Sequence, residues 1–532
     1  MANVPLPVIA LNRMAFGPRP GDVDRVAVMG LPAYVDEQLH PDDRDEPEVK
    51  QRLAAVRLHI EYEAGKDDKG NLTYKACKED RPLRHLKSSA AELWKLTDES
   101  KFAGEERQQP SFEVEAAAFV RATYSRWQLR EVLADFWHNH FNVNAAIDDE
   151  RAALMWPVYD RDVIRRHSFG NFRQFLEAVA TSVPMLIYLN NAASKASPAN
   201  ENFARELFEL HTLGADAYFN HLYNRWREVP GSLDGKPVGY IDEDVYEAAR
   251  AFTGWTIADG QETDRGDKFP NTGEFYYYDG WHDPYQKRVL ATEFDPNEPA
   301  LADGRRVLDL VAAHPATAMH VCTKLCRRLV ADNPSAALID RAATVFRESK
   351  DQPDQIARVL RVILLSDEFA ATWGQKIKRP FELVVSFLRA TEAEVRPDSN
   401  LFGIVDGMGQ HLFAWPTPAG HPDMAAHWSG TNAMLGRWNA PLTMMADDFV
   451  AARFRLERAT PATLRTPREL ARFWVQRILG YDLPEPELII LAKACARGAD
   501  LDVPLSVGEK EWVDRLQALV ALVAMTPQFQ MR

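Results

Sequence analysis

The sequence predicts a mainly α protein, a large body of many helices with long aromatic loops and at most a few short strands. Three observations lead to this class. Apolar residues recur at spacings of three and four in most segments, as between Leu129 and His140. Strict alternation of apolar and polar residues, the pattern of a half-buried strand, is rare. The periodic segment 201–214 is also closed by a glycine, Gly214, which suits a helix C-cap.

The length of 532 residues favours two to four domains, or one large helical body with a satellite. We place a helical body over 1–460, with long loops at 215–240, 257–300 and 400–440. The remaining residues, 461–532, are expected to form a C-terminal helical segment packed on that body.

The net charge of −14 argues against nucleic acid as a partner, because phosphate binding needs a basic surface. No apolar run approaches the roughly 18 residues of a membrane helix. No signal peptide is visible, so the chain as written is expected in the cytoplasm, or in the periplasm or outside the cell if a leader has been removed. Cys322 and Cys326 share an apolar helical face, which favours core residues over a metal or redox pair.

The first half of the chain alternates between helices and irregular segments. Short helices are predicted over 5–40, where Asp22 can cap the second one. Residues 41–110 are strongly charged and are interpreted as irregular connections plus exposed helix. One long amphipathic helix is expected over 111–143, and another helix over 171–193.

The second half is expected to be helical around two loop regions. A helix over 242–256 is followed by a loop in which EFYYYDGWHD contains a short strand. The further helices are predicted at about 305–312, 315–331, 334–349, 353–366, 378–394, 441–457, 467–478, 484–498 and 509–526.

The stretch FWHNHFNV, residues 136–143, places two histidines and two asparagines among large apolar residues. On a regular helix His140 lies with the apolar stripe, and His138 lies about 200° away. The two rings therefore cannot bind one ion unless the helix ends near residue 139 and the chain becomes extended.

The stretch ENFARELFELHTLG, residues 201–214, carries the clearest acid–base signal. Glu206 and Glu209 are one turn apart and could share a cation or a proton, with Arg205 balancing their charge. The alternative is a solvated helix face with ordinary ion pairs. His211 lies among apolar residues and is interpreted as a satisfied core histidine.

Two further stretches carry weaker signals. In WHDPYQK, His282 beside Asp283 suits a base or a metal ligand on a loop, although a turn with local hydrogen bonds would look the same. In the stretch 409–441, Trp415 and Trp428 suit a sugar or peptide cleft, or a packed connector between helices. The sequence contains no G-x-S-x-G elbow, P-loop, H-E-x-x-H or C-x-x-C motif.

Taken together, these motifs resemble the bacterial DUF1800 family. The resemblance runs from about residue 8 to 460 and is carried by LNRMAFGPRPGD, FWHNHFNV, ENFARELFELHTLG, DEDVYEAARAFTGWT, WHDPYQKRVL, HPATAMHVCTKLCRRLV, IKRPFELVVSFLRA and the GQHLFAWPTPAGHPD loop. The family has no assigned function. The resemblance implies that the polar stretches belong to one pattern.

Members of that family often carry export signals and often lie beside genes for sulfatase-like DUF1501 proteins. Both features imply work on envelope or extracellular material. This chain differs from the family pattern in a longer segment after Gly214, and in Pro284 and Ala291, which stand where glycines are usual. It also shows no leader.

The first functional hypothesis is an enzyme, a metal-assisted or acid/base hydrolase acting on a polysaccharide or other envelope polymer. The catalytic candidates are Glu206, Glu209, His140, Arg205 and Asp283. The substrate-binding candidates are Asn139, Asn202, Trp415 and Trp428. One divalent metal ion is expected on His138, His140, Glu206 and His282.

Three alternatives remain open. The first is a lyase-type elimination without a metal, with Glu206 or His140 as base. The second is a non-catalytic binding or assembly module that partners a sulfatase-like DUF1501 protein, in which the polar centre is a structural network. The third is an iron-dependent oxidoreductase, although the paired Glu-x-x-His motifs of di-iron bundles are absent.

Overall fold

The computed structural model describes residues 4–532 except 43 and 148. Helix accounts for 54% of the chain and strand for 9%, so the predicted mainly α class is confirmed. The strands form small two-stranded antiparallel sheets.

The N-terminal part contains seven helices and two hairpins in the described residues. The helices are α1 Leu6–Arg13, α2 Asp22–Met29, α3 Leu31–Gln38, α4 Pro47–Ala55, α5 Ala90–Trp94, α6 Gly104–Tyr124 and α7 Gln128–His140. The strands are β1 Arg57–Tyr62, β2 Gly65–Lys66, β3 Leu72–Tyr74 and β4 Cys77–Pro82, paired β1 with β4 and β2 with β3.

Three predictions for this part were wrong in detail. Residues 57–82 form strands rather than irregular connections. The expected long helix over 111–143 is two helices, because the chain is extended at Ser125 and the Gln128 side chain binds the carbonyls of Ala122 and Ser125, at 3.0 and 2.8 Å. Asp22 is the first helical residue rather than the cap, and its carboxylate accepts a hydrogen bond from the Arg19 amide.

The middle of the chain mixes short helices with two hairpin-like pairs. The helices are α8 Arg151–Leu154, α9 Trp156–Val158, a first π-helix Tyr159–Arg165, α10 Phe172–Ala180, α11 Val183–Tyr188, α12 Asn202–Glu206, a second π-helix Leu207–His211 and α13 Asp242–Ala251. The strands are β5 Trp255–Asp259, β6 Asn271–Tyr277, β7 Lys287–Val289 and β8 Thr292–Phe294. The predicted strand within EFYYYDGWHD is part of β6.

A two-residue turn joins β7 to β8. Val289 pairs with Thr292, and the turn residues Leu290 and Ala291 have φ of 48° and 57°. A turn with two positive φ values is of type I′, which favours glycine. Ala291 therefore occupies a position where its side chain is disfavoured, and this explains why a glycine is expected there.

The last part contains the longest run of helices. They are α14 Ala302–Ala313, α15 Pro315–Leu329, α16 Ala336–Glu348, α17 Gln355–Leu364, α18 Asp367–Ala371, α19 Pro380–Ala390, α20 Ser399–Asp406, α21 Ala425–Trp428, α22 Thr431–Met444, α23 Leu456–Ala459, α24 Pro467–Leu479, α25 Glu485–Ala496, α26 Glu509–Met525 and α27 Pro527–Gln530. Strands β9 Glu394–Val395 and β10 Ala452–Arg453 pair with each other.

The region around residue 440 differs from the prediction. Residues 400–440 were expected to be loop, but α20, α21 and most of α22 lie within this range. The helix predicted at 441–457 is replaced by the end of α22, strand β10 and the short helix α23. Pro441 lies inside α22, although proline usually stands at the boundary of a helix rather than in its interior.

One hydrophobic core runs through the molecule and includes residues from Val8 to Phe529. Cys322 and Cys326 are fully buried in it, as predicted. The C-terminal residues join α19 through the Lys378 amide, which donates to the Gln530 carbonyl at 2.9 Å. In the described part of the chain, no helix combines the length and apolar character needed to cross a bilayer.

Candidate functional site

The carboxylate pair Glu206 and Glu209 lies at the junction of α12 and the second π-helix. Both side chains are half-buried, and neither receives a hydrogen bond or an ion pair from any residue that the structure describes. Burial, and then the neighbouring Glu209 carboxylate, raise the pKa of Glu206 to about 6. An unpaired carboxyl of this kind can hold or release a proton near neutral pH.

Arg205 acts electrostatically on Glu206 and lowers its pKa, but in the described residues it forms no ion pair with either carboxylate. Its guanidinium contacts Glu201 at 3.1 Å and Asp242 at 3.5 Å, and Asp242 also accepts a hydrogen bond from the Tyr218 hydroxyl at 2.6 Å. The ordinary ion pairs of this helix therefore belong to Arg205 and leave Glu206 and Glu209 free. Asn202, predicted to bind substrate, is exposed on the same helix.

Two tyrosines complete the surroundings of the pair. Burial and the Glu206 carboxylate raise the pKa of the half-buried Tyr188 to about 12. Burial and Glu209 raise the pKa of Tyr240, whose hydroxyl is buried without a partner among the described residues. Both phenols therefore stay protonated at neutral pH, and the Tyr240 hydroxyl is the one whose donor is unused among the described residues.

The second π-helix explains where His140 lies. The wider turn leaves carbonyl groups unpaired at its C-terminal end. His140 Nε2 donates to the His211 carbonyl at 3.1 Å, and His320 Nε2 donates to the Leu210 carbonyl at 3.0 Å. Gly214, at φ +88°, then turns the chain and donates its amide to the Phe208 carbonyl. His140 thus closes a helix end.

His211 is buried as predicted, but it is not satisfied. Its ring is completely inaccessible, and neither ring nitrogen has a hydrogen-bond partner among the described residues. Burial, and then the positive charge of Lys324, lower the pKa of His211 to about 3. Burial also lowers the pKa of His320 to about 4 and that of His140 well below its usual range. All three rings are neutral in the folded protein.

His138 lies in a different environment from His140. Its Nε2 donates to Asp160 Oδ1 at 3.0 Å, and its ring packs between Trp156 and Phe413. Asp160 also pairs with Arg165 at 2.8 Å. The helix continues through His140, so the two histidines diverge as a regular helix requires.

The stretch FWHNHFNV holds the loop 411–421 in place. The Asn139 amide donates to the His421 carbonyl at 3.0 Å and accepts from the His421 amide at 2.6 Å. Asn142 donates to the Trp415 and Thr417 carbonyls, at 3.1 and 2.8 Å. The polar groups of Asn139 are therefore hydrogen-bonded to main-chain groups. The two asparagines of this stretch anchor the loop 411–421 to α7 and the residues that follow it.

Tyr188 links the loop to the carboxylate pair. Its hydroxyl donates to the Pro416 carbonyl at 3.0 Å, and its electrostatic coupling is to Glu206. Trp415 is half-buried on this loop, with its indole N–H on Thr417. Trp428, predicted to bind substrate, is only 2% exposed and donates to the Pro422 carbonyl, so its ring is packing.

The WHDPYQK stretch belongs to another cluster. Asp283 forms a two-point ion pair with Arg250, at 2.8 and 3.0 Å. His282 contacts the Thr253 carbonyl at 2.9 Å and Asp303 at 3.3 Å. These groups connect α13, α14 and the β6–β7 segment. The structure does not join them to Glu206, His138 or His140.

The described residues include no group of three or more His, Cys, Asp or Glu side chains placed to hold a metal ion. His138, His140, Glu206 and His282, the expected ligands, therefore do not form one such group.

Sequence reasoning missed Tyr188, Tyr240, His320 and Lys324 as neighbours of the predicted residues. Tyr188 lies in the stretch PMLIYLNN, where its hydroxyl was indistinguishable from that of any tyrosine on a core helix. The signal that could have singled out His320 is its spacing of four residues from Lys324 on one helix. Their proximity to His211 follows from the packing of α15 on the second π-helix.

The fold and the site define a mainly α protein with a free, half-buried carboxylate pair beside an anchored aromatic loop. Within this class the chain belongs to the DUF1800 family, whose model, described as a protein of unknown function, matches residues 9–531. The match includes the C-terminal helices beyond residue 460, where the resemblance of the motifs ended. No curated protein and no solved structure matches the chain.

Proposed function

We propose that this protein is an acid/base hydrolase acting on a polysaccharide or similar envelope polymer, with Glu206 as the proton donor. The observation that carries the proposal is the Glu206 carboxyl, half-buried and unpaired, with a pKa raised to about 6. A carboxylic acid whose pKa is raised toward neutrality, so that it still holds its proton in mildly acidic solution, is what a general acid requires.

Glu209 supplies the second group of the reaction. In the proposed step Glu206 gives its proton to the bridging oxygen of the scissile bond as that bond breaks. Glu209, as a carboxylate, accepts a proton from the water that attacks the sugar carbon. One water is consumed, and the two carboxyl groups then exchange their proton through solvent. This division of roles between two carboxyls is the general pattern of glycoside hydrolysis.

The substrate class is supported by what surrounds the pair. Trp415 offers a half-exposed aromatic face on a loop that Tyr188 ties to the Glu206 neighbourhood. Aromatic faces stack on the apolar faces of sugar rings. Arg205, close by, is available for an acidic or sulfated sugar once its contacts with Glu201 and Asp242 loosen.

The test is hydrolysis of a polysaccharide panel that includes neutral, uronic acid and sulfated polymers, followed by release of reducing ends. Glu206→Gln is expected to lower kcat by about 100-fold to 10,000-fold on any polymer that the wild type cleaves. The wild-type rate should fall as pH rises above about 6, since Glu206 then loses its proton. Glu209→Gln should also lower kcat, because the amide cannot accept a proton from the attacking water.

Glu201→Gln is the matched control, because it changes a carboxylate on the same segment that is paired with Arg205 rather than free. It should leave kcat within a few-fold of the wild type. Equal activity of Glu206→Gln and wild type would exclude Glu206 as the acid. An unsaturated product, detected by ultraviolet absorbance, would replace hydrolysis by elimination with Glu206 as base.

A second candidate is an assembly module that binds a sulfatase-like DUF1501 protein. The observation that favours it is an exposed apolar stripe on α22, where Leu435, Trp438 and Leu442 follow one another at spacings of three and four. Their side chains are 55%, 45% and 51% exposed. A contiguous apolar helix face in solvent is a common feature of interaction sites.

Trp438→Asp is the variant that tests this second candidate. It should abolish co-elution with a purified DUF1501 protein from the same genome while the melting temperature stays unchanged. Tyr246→Asp, which places a charge on another exposed aromatic side chain, is the control and should retain binding. Failure of the wild type to co-elute would exclude this partner.

A further inference from the structure

A cavity of about 160 Å³ lies on the other side of the loop 411–421 from His138. One wall is a single face of α6, formed by residues spaced three and four apart. A second wall is the loop segment 411–414, and a third is formed by residues 145–147 together with Glu150 and Ala153. The lining of the α6 wall is Gln108, Ser111, Phe112 and Glu115.

The cavity is open at one end and closed by a carboxyl group at the other. Phe112 and His411 are exposed at the mouth, whereas Glu115 is only 4% exposed. Between them the lining is largely apolar and includes Leu412 and Phe413. The shape is that of a small apolar recess with an acid at its base.

Glu115 is the one carboxyl in the lining that lacks a counter-charge in the described part of the chain. Its Oε1 is buried and receives no hydrogen bond there. The other lining carboxyl, Glu150, is bound by Arg107 and by Gln108. A buried carboxyl without a donor is costly for a folded protein, so its retention needs a reason.

A second acidic group strengthens the negative field at the base. Asp406, at the end of α20, acts electrostatically on Glu115, and its own Oδ1 is also buried without a partner among the described residues. The nearest cationic candidate for Asp406 is His411, at 3.8 Å. Burial, and then Asp406, raise the pKa of Glu115 well above its usual range.

We propose that this cavity binds a small organic ammonium ion, with its N–H groups on Glu115 and its hydrocarbon part against Phe112 and Leu412. An ammonium group carries three donors and one positive charge, which are the two things that the base of the cavity lacks. A charge-assisted hydrogen bond in an apolar recess is also the strongest kind of polar contact available there.

The volume sets the size of the ligand. An apolar protein cavity of about 150 Å³ accommodates a benzene ring. A ligand of about eight non-hydrogen atoms, with an aromatic or branched hydrocarbon part, therefore fills the space. This site is distinct from the proposed carboxylate pair at Glu206, and it does not depend on the proposed hydrolase function.

Calorimetric titration of the full-length protein with benzylammonium tests the proposal, with benzyl alcohol as the neutral analogue of the same shape. The ammonium should bind saturably and at least about tenfold more tightly than the alcohol. Glu115→Gln should remove this preference. Glu105→Gln, at an exposed position on the same helix outside the cavity, should bind as the wild type does.

Glu115→Gln keeps the volume of the side chain and removes the buried carboxyl that lacks a partner in the described residues, so its melting temperature should equal or exceed that of the wild type. Ser111→Trp gives an independent variant, because an indole at that position fills the cavity and should abolish binding. Three results would each overturn the proposal: no saturable binding by the wild type, equal binding of the alcohol, or unchanged binding by Glu115→Gln. Tighter binding of Ca²⁺ that competes with benzylammonium would assign the site to a metal instead.

Discussion

Replacing His211 by leucine should make the stability of this protein less sensitive to acid. The imidazole is fully buried, neither ring nitrogen has a partner in the described residues, and its pKa is lowered to about 3. In the unfolded chain a histidine binds its proton below about pH 6.5. Between these two values the unfolded state holds one more proton than the folded state.

The sign of the effect follows directly. Where the unfolded state binds more protons, the free energy of unfolding falls as the pH falls. His211 therefore leaves stability intact above about pH 6.5 and reduces it by about 1.4 kcal/mol per pH unit below that value. From about pH 7.5 to about pH 4.5 the loss attributable to this one ring is about 3 kcal/mol.

The assay is urea denaturation of wild type and His211→Leu at a series of pH values. The variant curve should be flatter by about 3 kcal/mol over that interval. At pH 7.5 the two proteins should be of similar stability, because leucine replaces a ring that makes no hydrogen bond through its nitrogens. Comparing the two curves cancels the contribution of every other titrating group.

Phe141→Leu is the control, because the Phe141 ring packs on His211 at 5.3 Å between ring centroids and does not titrate. Its stability should be lower at every pH, with a slope equal to that of the wild type. If the free energy of unfolding depends on pH in the same way for His211→Leu and the wild type, the buried ring binds its proton at the same pH as in the unfolded chain. This result would refute the argument that burial lowers its pKa.

Three further predictions concern stability and anchoring. Ala291→Gly should raise the free energy of unfolding by about 1 kcal/mol, since φ is 57° at this position. Thermal denaturation measures this, and a less stable variant would contradict the turn assignment. Asp160→Asn should lower the free energy of unfolding by about 2 kcal/mol in urea denaturation, because it removes one of the two carboxylates that pair with Arg165 and leaves only Glu131. A loss of less than about 1 kcal/mol would mean that the Asp160–Arg165 pair is solvated. Asn139→Ala should release the loop at His421 and make it a site of rapid limited proteolysis, and unchanged protection would show that other contacts suffice.

The helices at the C-terminus were predicted almost to the residue because their signals are local. Thr466 caps α24 and pairs with Glu469 in a capping box, and Gly480 ends the helix at φ +81°. The apolar periodicity between these residues is regular. Nothing outside the segment was needed to locate it, and the same is true of α25 and α26.

For the segment that carries Glu206 and Glu209, the prediction of a helix was confirmed, but the predicted regular α-helical geometry was wrong. Residues 201–214 are helical, but the turn widens after Glu206 into a π-helix. A rotation of 100° per residue then no longer assigns side chains to faces. Sequence periodicity cannot register such a change, because the extra residue per turn is stabilised by His140 and His320 from other helices.

The residues of the candidate site likewise show which features follow from local sequence and which from tertiary packing. The sequence by itself determined that this is a mainly α protein and which polar stretches are unusual, because helix caps and apolar spacing act over a few residues. Only the tertiary structure decided that Glu206 lies beside Tyr188 and forms no ion pair in the described residues, and that Asp283 is bound by Arg250. Those outcomes depend on which side chains the fold places next to each buried charge. These side chains come from residues far apart in the chain, so local sequence patterns do not identify them.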